Sequence, residues 1–262
     1  MSLRIALRDL GKTYALHGRE VHAVDRVSLE IFEGEFVALI GPSGCGKSTI
    51  LNMVAGLLPA SAGGIAIDGA PVVAGRTNRK VGYVFQRDTV FPWRTVARNI
   101  GYGLELAGMP RQERERRVAR MIRGAGLDGF GDAFPLALSG GMRQRVALMR
   151  TLITQPEILL MDEPFGALDT HTKLEMHKIL LEIWEREKQT VFFVTHDLGE
   201  ALTLSDRIVV LSARPGRLKE IFEVKLPRPR DAVALRESPE FAAAFSRIWH
   251  SLGEEFRKGH AE

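Results

Sequence analysis

Five consecutive apolar residues, Phe36, Val37, Ala38, Leu39 and Ile40, run without interruption into Gly41-Pro42-Ser43-Gly44-Cys45-Gly46-Lys47-Ser48-Thr49, and Ile50 to Gly56 follow. The run has the length and continuity of a strand buried on both faces. The glycines break it, and the residues after Lys47 suit a helix, so the segment predicts strand, tight loop, helix. Gly41, Gly44 and Gly46 let successive backbone N–H groups converge on one anion, and the helix adds its positive N-terminal end. In such a loop Lys47 reaches the β- and γ-phosphates of a nucleotide and the Ser48 hydroxyl sits on Mg²⁺. The flanking strand and helix are the context that separates this reading from an ordinary turn.

A chain of 262 residues is long enough for one large α/β domain, or for a domain carrying an inserted subdomain, but not for two full domains. Apolar content of 45% with 26% charged residues excludes wholesale disorder. A net charge of +4 suits a polyphosphate ligand or an anionic membrane face and falls short of the basic stripe that duplex binding needs, so no nucleic-acid partner is expected. Cys45 is the single cysteine, which leaves no internal disulfide. Met1 to Ile5 lack the apolar core of a signal peptide, giving an expected cytoplasmic address. No apolar run approaches the ~20 residues of a spanning helix, so work at a membrane requires another chain. Cys45 also stands at a helix N-terminus, a position that lowers thiol pKa. Alkylation is then expected to block nucleotide binding, with the bound nucleotide protecting; the alternative is a small residue that merely fits.

Along the chain, residues 3–8 and 21–32 alternate apolar with polar positions, the period of half-buried antiparallel strands. Tyr14, between them, either stacks on a base or packs on a neighbouring strand. Ile65 to Gly69 reads as a short strand and turn. Val81 to Phe85 is a strand ending at Gln86, which either orients water and completes a Mg²⁺ shell or is an ordinary polar loop residue. Phe91-Pro92-Trp93-Arg94 forms an exposed aromatic cluster, and Thr95 caps a helix expected over 96–106. The helix from Arg111 to Gly124 mixes Arg and Glu at helical spacing, the pattern of a solvated face. Ser139, Gly140 and Gly141 open a helix expected over 143–154 like an N-cap and a second anion cradle. Two cradles need two phosphates or two copies of the chain.

Ile158 to Met161 reads as a central parallel strand that ends in Asp162-Glu163-Pro164, carboxylates at the edge where open α/β sheets bind ligands. Asp162 can hold Mg²⁺ through water and Glu163 can polarise an attacking water. Ala167 to Asp169 form a turn, a helix is expected over 172–188, and a strand over 190–194 delivers Thr195, His196 and Asp197 to the same edge. Residues 206–211 read as the last strand and 226–230 as a stiff Pro-rich linker. Phe241, Phe245, Ile248, Trp249, Leu252 and Phe256 form the stripe of an amphipathic helix over 239–257 that covers the chain's own core, the alternative being a face that docks a partner.

With these segments in order, the sequence resembles the ATP-binding-cassette ATPase subunit of a transporter over nearly its whole length. GPSGCGKST, Gln86, LSGGM at Leu138 to Met142, ILLMDEP at Ile158 to Pro164, ALD at Ala167 to Asp169, and His196 match in type, order and rough spacing. VFPWRTVARNI after Gln86, LSGGMRQRV, and SARPGR followed by LPRPR are most similar to importers of the nitrate, sulfonate and taurine group. Importers of other small organic solutes share these stretches. Met142 stands where the family more often has glutamine.

The resemblance implies an α/β P-loop NTPase: a RecA-like core with an antiparallel β subdomain (residues 1–86 and 155–230), an inserted α-helical subdomain (87–154) and a C-terminal helical extension (231–262). It implies ATP and Mg²⁺ as ligands and a homodimer in which each ATP lies between Lys47, Ser48 and Thr49 of one copy and Ser139, Gly140 and Gly141 of the other. The backbone from Gly41 through Ser43, Gly44, Cys45 and Gly46 would line the phosphates, and Tyr14 would stack on adenine. Gln86, Asp162 and Ser48 would complete the Mg²⁺ shell, Glu163 would be the general base, His196 would meet the γ-phosphate, and Asp169 would link the two sites. The implied partners are integral membrane permease subunits and, indirectly, a periplasmic or surface solute-binding protein, with the chain peripheral on the cytoplasmic face of the membrane. Residues 87–98 are the expected permease contact. A long coiled coil or tandem cassettes, expected of relatives acting on DNA or ribosomes, are not in this sequence. Glu163 and His196 argue against a catalytically dead regulatory cassette, and the lack of fused spanning segments disfavours an exporter subunit.

Overall fold

The computed structural model describes residues 2–16 and 18–259. Two long strands, β1 (Leu3–Leu16) and β2 (Arg19–Phe32), pair antiparallel. The structure extends the strands expected over 3–8 and 21–32, so Tyr14 stands on β1. β3 (Phe36–Ile40) then enters the second sheet and gives way to α1 (Lys47–Val54). β4 (Ala62–Ile67) and β5 (Ala70–Pro71) complete a four-stranded sheet in the order β2-β1-β4-β5. β6 (Val81–Val84) precedes the helices α2 (Val96–Ile100), α3 (Tyr102–Leu106), α4 (Arg111–Gly124) and α5 (Gly140–Leu152). β7 (Ile158–Asp162), α6 (Thr170–Glu187), β8 (Thr190–Val194), α7 (Leu198–Leu204), β9 (Arg207–Leu211), β10 (Leu218–Glu223) and α8 (Pro239–Gly259) follow.

The larger sheet runs β10-β9-β3-β8-β7-β6, parallel throughout except for β10 at its edge. Its central strands are apolar on both faces, and side chains of period two divide them between two cores. Phe36, Ala38, Ile40, Leu159, Met161, Val191 and Phe193 pack toward α5, α6, α7 and α8. Val37, Leu39, Ile158, Leu160, Phe192 and Val194 pack toward α1 and the antiparallel sheet. The phosphate-loop helix is thereby held between the two sheets.

Four expectations change. The helix expected over 96–106 is two short helices broken at Gly101. The helix after Ser139 starts three residues earlier than expected, at Gly140, and ends at Leu152. The strand over 206–211 is not the last, because β10 folds back against β9; only Phe222 of β10 is buried, so its sequence lacks the alternation that marks a strand. The segment 226–230 is no free linker. Leu226 and Arg230 are buried, and Arg230 donates to the carbonyls of Ser205 (2.7 Å), Thr203 (3.3 Å) and Leu226 (3.2 Å), while Arg228 donates to that of Leu204 (2.8 Å). The bonds to Thr203, Leu204 and Ser205 satisfy carbonyls at the C-terminal end of α7. α8 covers the core with Phe241, Ile248 and Leu252, as its stripe predicts; the Phe256 side chain lies outside the described residues.

Candidate nucleotide site

The strand, loop and helix read from the sequence are present: β3 ends at Ile40 and α1 begins at Lys47. Gly46 is the N-cap of α1 with φ 94°, and a β-carbon there would stand 2.8 Å from the Ala23 carbonyl oxygen. Only glycine fits so close an approach of loop to β2. Lys47 is 8% exposed, and its ammonium donates to the carbonyls of Gly41 (2.8 Å) and Pro42 (2.9 Å). Its charge is thus held over the loop.

Ser48, in the first turn of α1, donates to Asp162 Oδ1 at 2.9 Å. Burial pushes the Asp162 carboxyl above the ordinary carboxylate range, the Ser48 hydroxyl and Lys47 opposing the rise and the Glu163 charge adding to it. Glu163 follows with its backbone in the left-handed region (φ 46°) and its N–H on the Val194 carbonyl at 2.9 Å. A non-glycine residue there is strained. Its Oε2 accepts from Gln86 Nε2 at 3.3 Å and lies 3.1 Å from His196 Nδ1. Three residues read separately from three segments therefore meet at one carboxylate oxygen.

One cleft of about 910 Å³ joins these groups, lined by Tyr14, Gly41, Ser43, Gly44, Gly46, Lys47, Ser48, Thr49, Gln86, Glu163 and His196, with Val21, Ala23 and Arg214. Its size lies within the range of about 300–1,000 Å³ usual for small-molecule sites. The Tyr14 hydroxyl lies 3.3 Å from Thr49 Oγ1 and the Lys12 ammonium 5.2 Å from the centre of its ring.

Other expected site residues stand elsewhere. Ser139, Gly140, Gly141 and Asp169 are absent from the lining of this cleft. Ser139 caps α5 by accepting from Met142 N at 3.2 Å, and Asp169 caps α6 by accepting from Thr172 N at 3.0 Å. Met142 packs against the core, which suits an apolar residue at that position. Cys45 corrects an expectation: its thiol is fully buried and packs into the core beside α1, and burial pushes its pKa up instead of the helix N-terminus drawing it down. The small-residue alternative is the one the geometry supports.

Three supporting residues escaped the sequence reading. Gln144 of α5, 3% exposed, donates to the Glu163 carbonyl (3.3 Å) and accepts from Ala167 N (3.0 Å), tying the helix after Ser139 to the turn after Glu163. Glu200 accepts from Thr195 Oγ1 at 2.6 Å and pairs with Lys173 at 3.0 Å, supporting the turn that carries His196; burial raises its pKa. Asn99, fully buried, accepts from Phe91 N (2.8 Å) and donates to the carbonyls of Phe91 (3.1 Å) and Arg94 (2.9 Å). It fixes the turn that leaves Trp93 72% exposed. The readable signal was a polar residue at a helix position that faces inward.

A glycine loop between a central parallel strand and a helix, with two carboxylates ending a strand of the same sheet, makes this a P-loop nucleotide-binding protein of the mixed α/β class. The family profile described as ABC transporter matches residues 24–166, and the chain belongs to that family. It is 48% identical to an uncharacterized ABC transporter ATP-binding protein of Methanocaldococcus jannaschii over 98% of this chain and 94% of that one. It is 49% identical to the taurine import ATP-binding protein TauB of Rhizobium johnstonii over 87% of this chain and 88% of that one. An aliphatic sulfonates import ATP-binding protein, SsuB of Bacillus cereus, is 38% identical over 98% of this chain and 97% of the relative. Among solved structures, a dimeric post-hydrolysis state of the ATP-binding cassette MJ0796 bound to ADP and Pi superposes with a TM-score of 0.77 at 32% identity, covering 85% of this chain and all of that one.

Proposed function

We propose that the chain is the ATP-hydrolysing subunit that energises a membrane importer of a small solute, of the class that includes taurine and aliphatic sulfonates. The observation that carries this reading is the convergence of Lys47, Ser48 and the Gln86–Glu163–His196 cluster in one cleft, with Asp162 hydrogen-bonded to Ser48 and Ser139 to Gly141 outside the cleft. Names of relatives at 38–49% identity support the importer role. An importer of another small organic solute is the second reading, favoured by the same shared aromatic turn.

The donor set suits a hard divalent cation: the Ser48 hydroxyl and an Asp162 carboxylate oxygen already stand together, with the Gln86 side chain across the cleft. These three would hold Mg²⁺, which when bound neutralises phosphate charge. Tyr14 offers its ring to adenine, the backbone from Gly41 to Gly46 and the side chains of Lys47, Ser48 and Thr49 bind the polyphosphate, and Glu163 takes the proton of the attacking water. Gln86 and His196 hold the Glu163 carboxylate in place, and His196 reaches the γ-phosphate. Phosphoryl transfer depends on position and charge neutralisation. A second copy supplies Ser139, Gly140 and Gly141, with Asp169 at the seam between the two sites, so hydrolysis waits on closure of the dimer.

Residues 1–86 and 155–230 form the nucleotide-binding core in this reading, 87–154 the unit that delivers Ser139 to the partner, and 231–262 a C-terminal extension. The Phe91–Trp93 turn, where the rings stand 5.6 Å apart beside a groove of about 790 Å³ that includes Arg94 and Arg98, receives the permease. A solute-binding protein then acts through that permease, and this chain sits on its cytoplasmic face. The experiment is co-expression with the permease subunits: MgATP-dependent solute uptake that Lys47→Ala abolishes supports the reading, and uptake indifferent to Lys47→Ala removes it.

A further inference from the structure

Arg214 lies in the turn between β9 and β10 and lines the same cleft as Lys47. The turn is fastened on two sides. Gly216 N donates to the Ala23 carbonyl and Asp25 N to the Gly216 carbonyl, both at 3.0 Å, joining it to β2. Gly216 also rests on the phosphate loop so closely that a β-carbon there would fall 2.0 Å from the Cys45 carbonyl oxygen. On the other side Glu255 of α8, 3% exposed, accepts the Ala213 N–H on Oε2 at 3.0 Å, while its Oε1 stands 3.1 Å from Lys219 Nζ. The residue before Arg214 is thus held by the C-terminal helix, and Gly216 is held by β2 and rests against the nucleotide loop.

The turn's two arginines are used differently. Arg217 gives its guanidinium to Asp25 at 2.7 Å. Arg214 makes no ion pair or side-chain hydrogen bond among the described residues, and its Nη2 stands 3.6 Å from the point a β-carbon on Gly44 would occupy. Lys47 and Arg214 are the only lysine or arginine side chains among the described residues lining the cleft. Polyphosphate carries more negative charge than one lysine balances, and a guanidinium fork meets phosphate oxygens with two parallel donors.

We infer that Arg214 is a ligand of the nucleotide's polyphosphate and that Glu255 is the positioning residue that aims it, so that the C-terminal helix acts on the nucleotide site. The inference rests on the ATP-binding reading of the cleft. Calorimetric titration of the full chain with MgATP and with MgADP separates the two. Binding by the wild type that Lys47→Ala removes upholds the cleft; wild-type protein that binds neither nucleotide overturns both readings. Given wild-type binding, Arg214→Ala weakens both nucleotides by about tenfold or more, Arg214→Lys recovers part of the loss and the uncharged Arg214→Gln does not. An Arg214→Ala affinity within about twofold of wild type overturns the ligand role. Glu255→Ala weakens binding in the wild-type background, Glu255→Gln, whose amide oxygen still accepts the Ala213 N–H, recovers part of that loss, and Glu255→Ala adds nothing in the Arg214→Ala background, because the two residues act as one unit. Additive losses in that double-mutant cycle overturn the positioning role.

Discussion

Glu163 shows how much of a site one residue can carry. The strand end that delivers it was legible because Ile158 to Met161 is an unbroken apolar run, but its left-handed backbone and its shared contact with Gln86 and His196 depend on neighbours distant in sequence. Glu163→Gln keeps the shape and removes the base, so ATP hydrolysis slows by about 10²- to 10⁴-fold while MgATP binding persists. Phosphate release and calorimetry on one preparation check both halves, and unaltered hydrolysis removes Glu163 from the role. Cys45 marks the limit of residue-scale reading. Position at a helix N-terminus was visible in sequence, but the direction of the side chain was not, and burial decides its chemistry. Thiol labelling of the native protein is therefore expected to be negligible until denaturant is added; rapid labelling that ATP blocks contradicts this.

At the scale of elements, the segments with strong periodicity or continuous apolar runs were legible: α4 runs from Arg111 to Gly124 and β8 from Thr190 to Val194, as read. Those that depend on tertiary contacts were not. β10 is half-exposed, and the segment from Leu226 to Arg230 is held by arginine bonds to carbonyls of α7 that no local pattern announces. The aromatic turn after Gln86 exposes Pro92 and Trp93, as its sequence suggests, but what shapes it is Asn99, buried on a short helix. Asn99→Ala leaves several backbone groups of residues 91–95 without their partner and should cost about 2–4 kcal/mol, read from denaturant unfolding. Trp93→Ala, at an exposed position, should leave stability within about 0.5 kcal/mol of wild type. It should also abolish co-purification with the permease; retained co-purification excludes this turn as the contact.

The six-stranded sheet has a core on each face, and the face that carries α6 and α7 encloses His177. Its ring is fully buried against Phe165, 4.7 Å between ring centres, with neither nitrogen hydrogen-bonded, and its charged neighbours are Arg236, Lys173 and Asp197. Burial pushes its pKa down from 6.5 to about 3. Between those values the unfolded chain binds a proton that the folded chain does not, so stability falls as pH falls, by about 1.4 kcal/mol per unit from this group. His177→Phe should flatten the dependence of unfolding free energy between pH 6.5 and 5 by about that slope, and an unchanged slope contradicts the assignment. The largest-scale claim is that one chain holds half of each nucleotide site. Gly140 is the place to test it, because a β-carbon there meets nothing nearer than Arg143 Nη2 at 3.8 Å and the fold tolerates a side chain. Sedimentation of the Glu163→Gln protein with MgATP is expected to give a dimer, and the Glu163→Gln, Gly140→Asp protein is expected to bind MgATP as a monomer; a Glu163→Gln protein that stays monomeric with MgATP bound, or a double variant that still dimerises, contradicts the shared site.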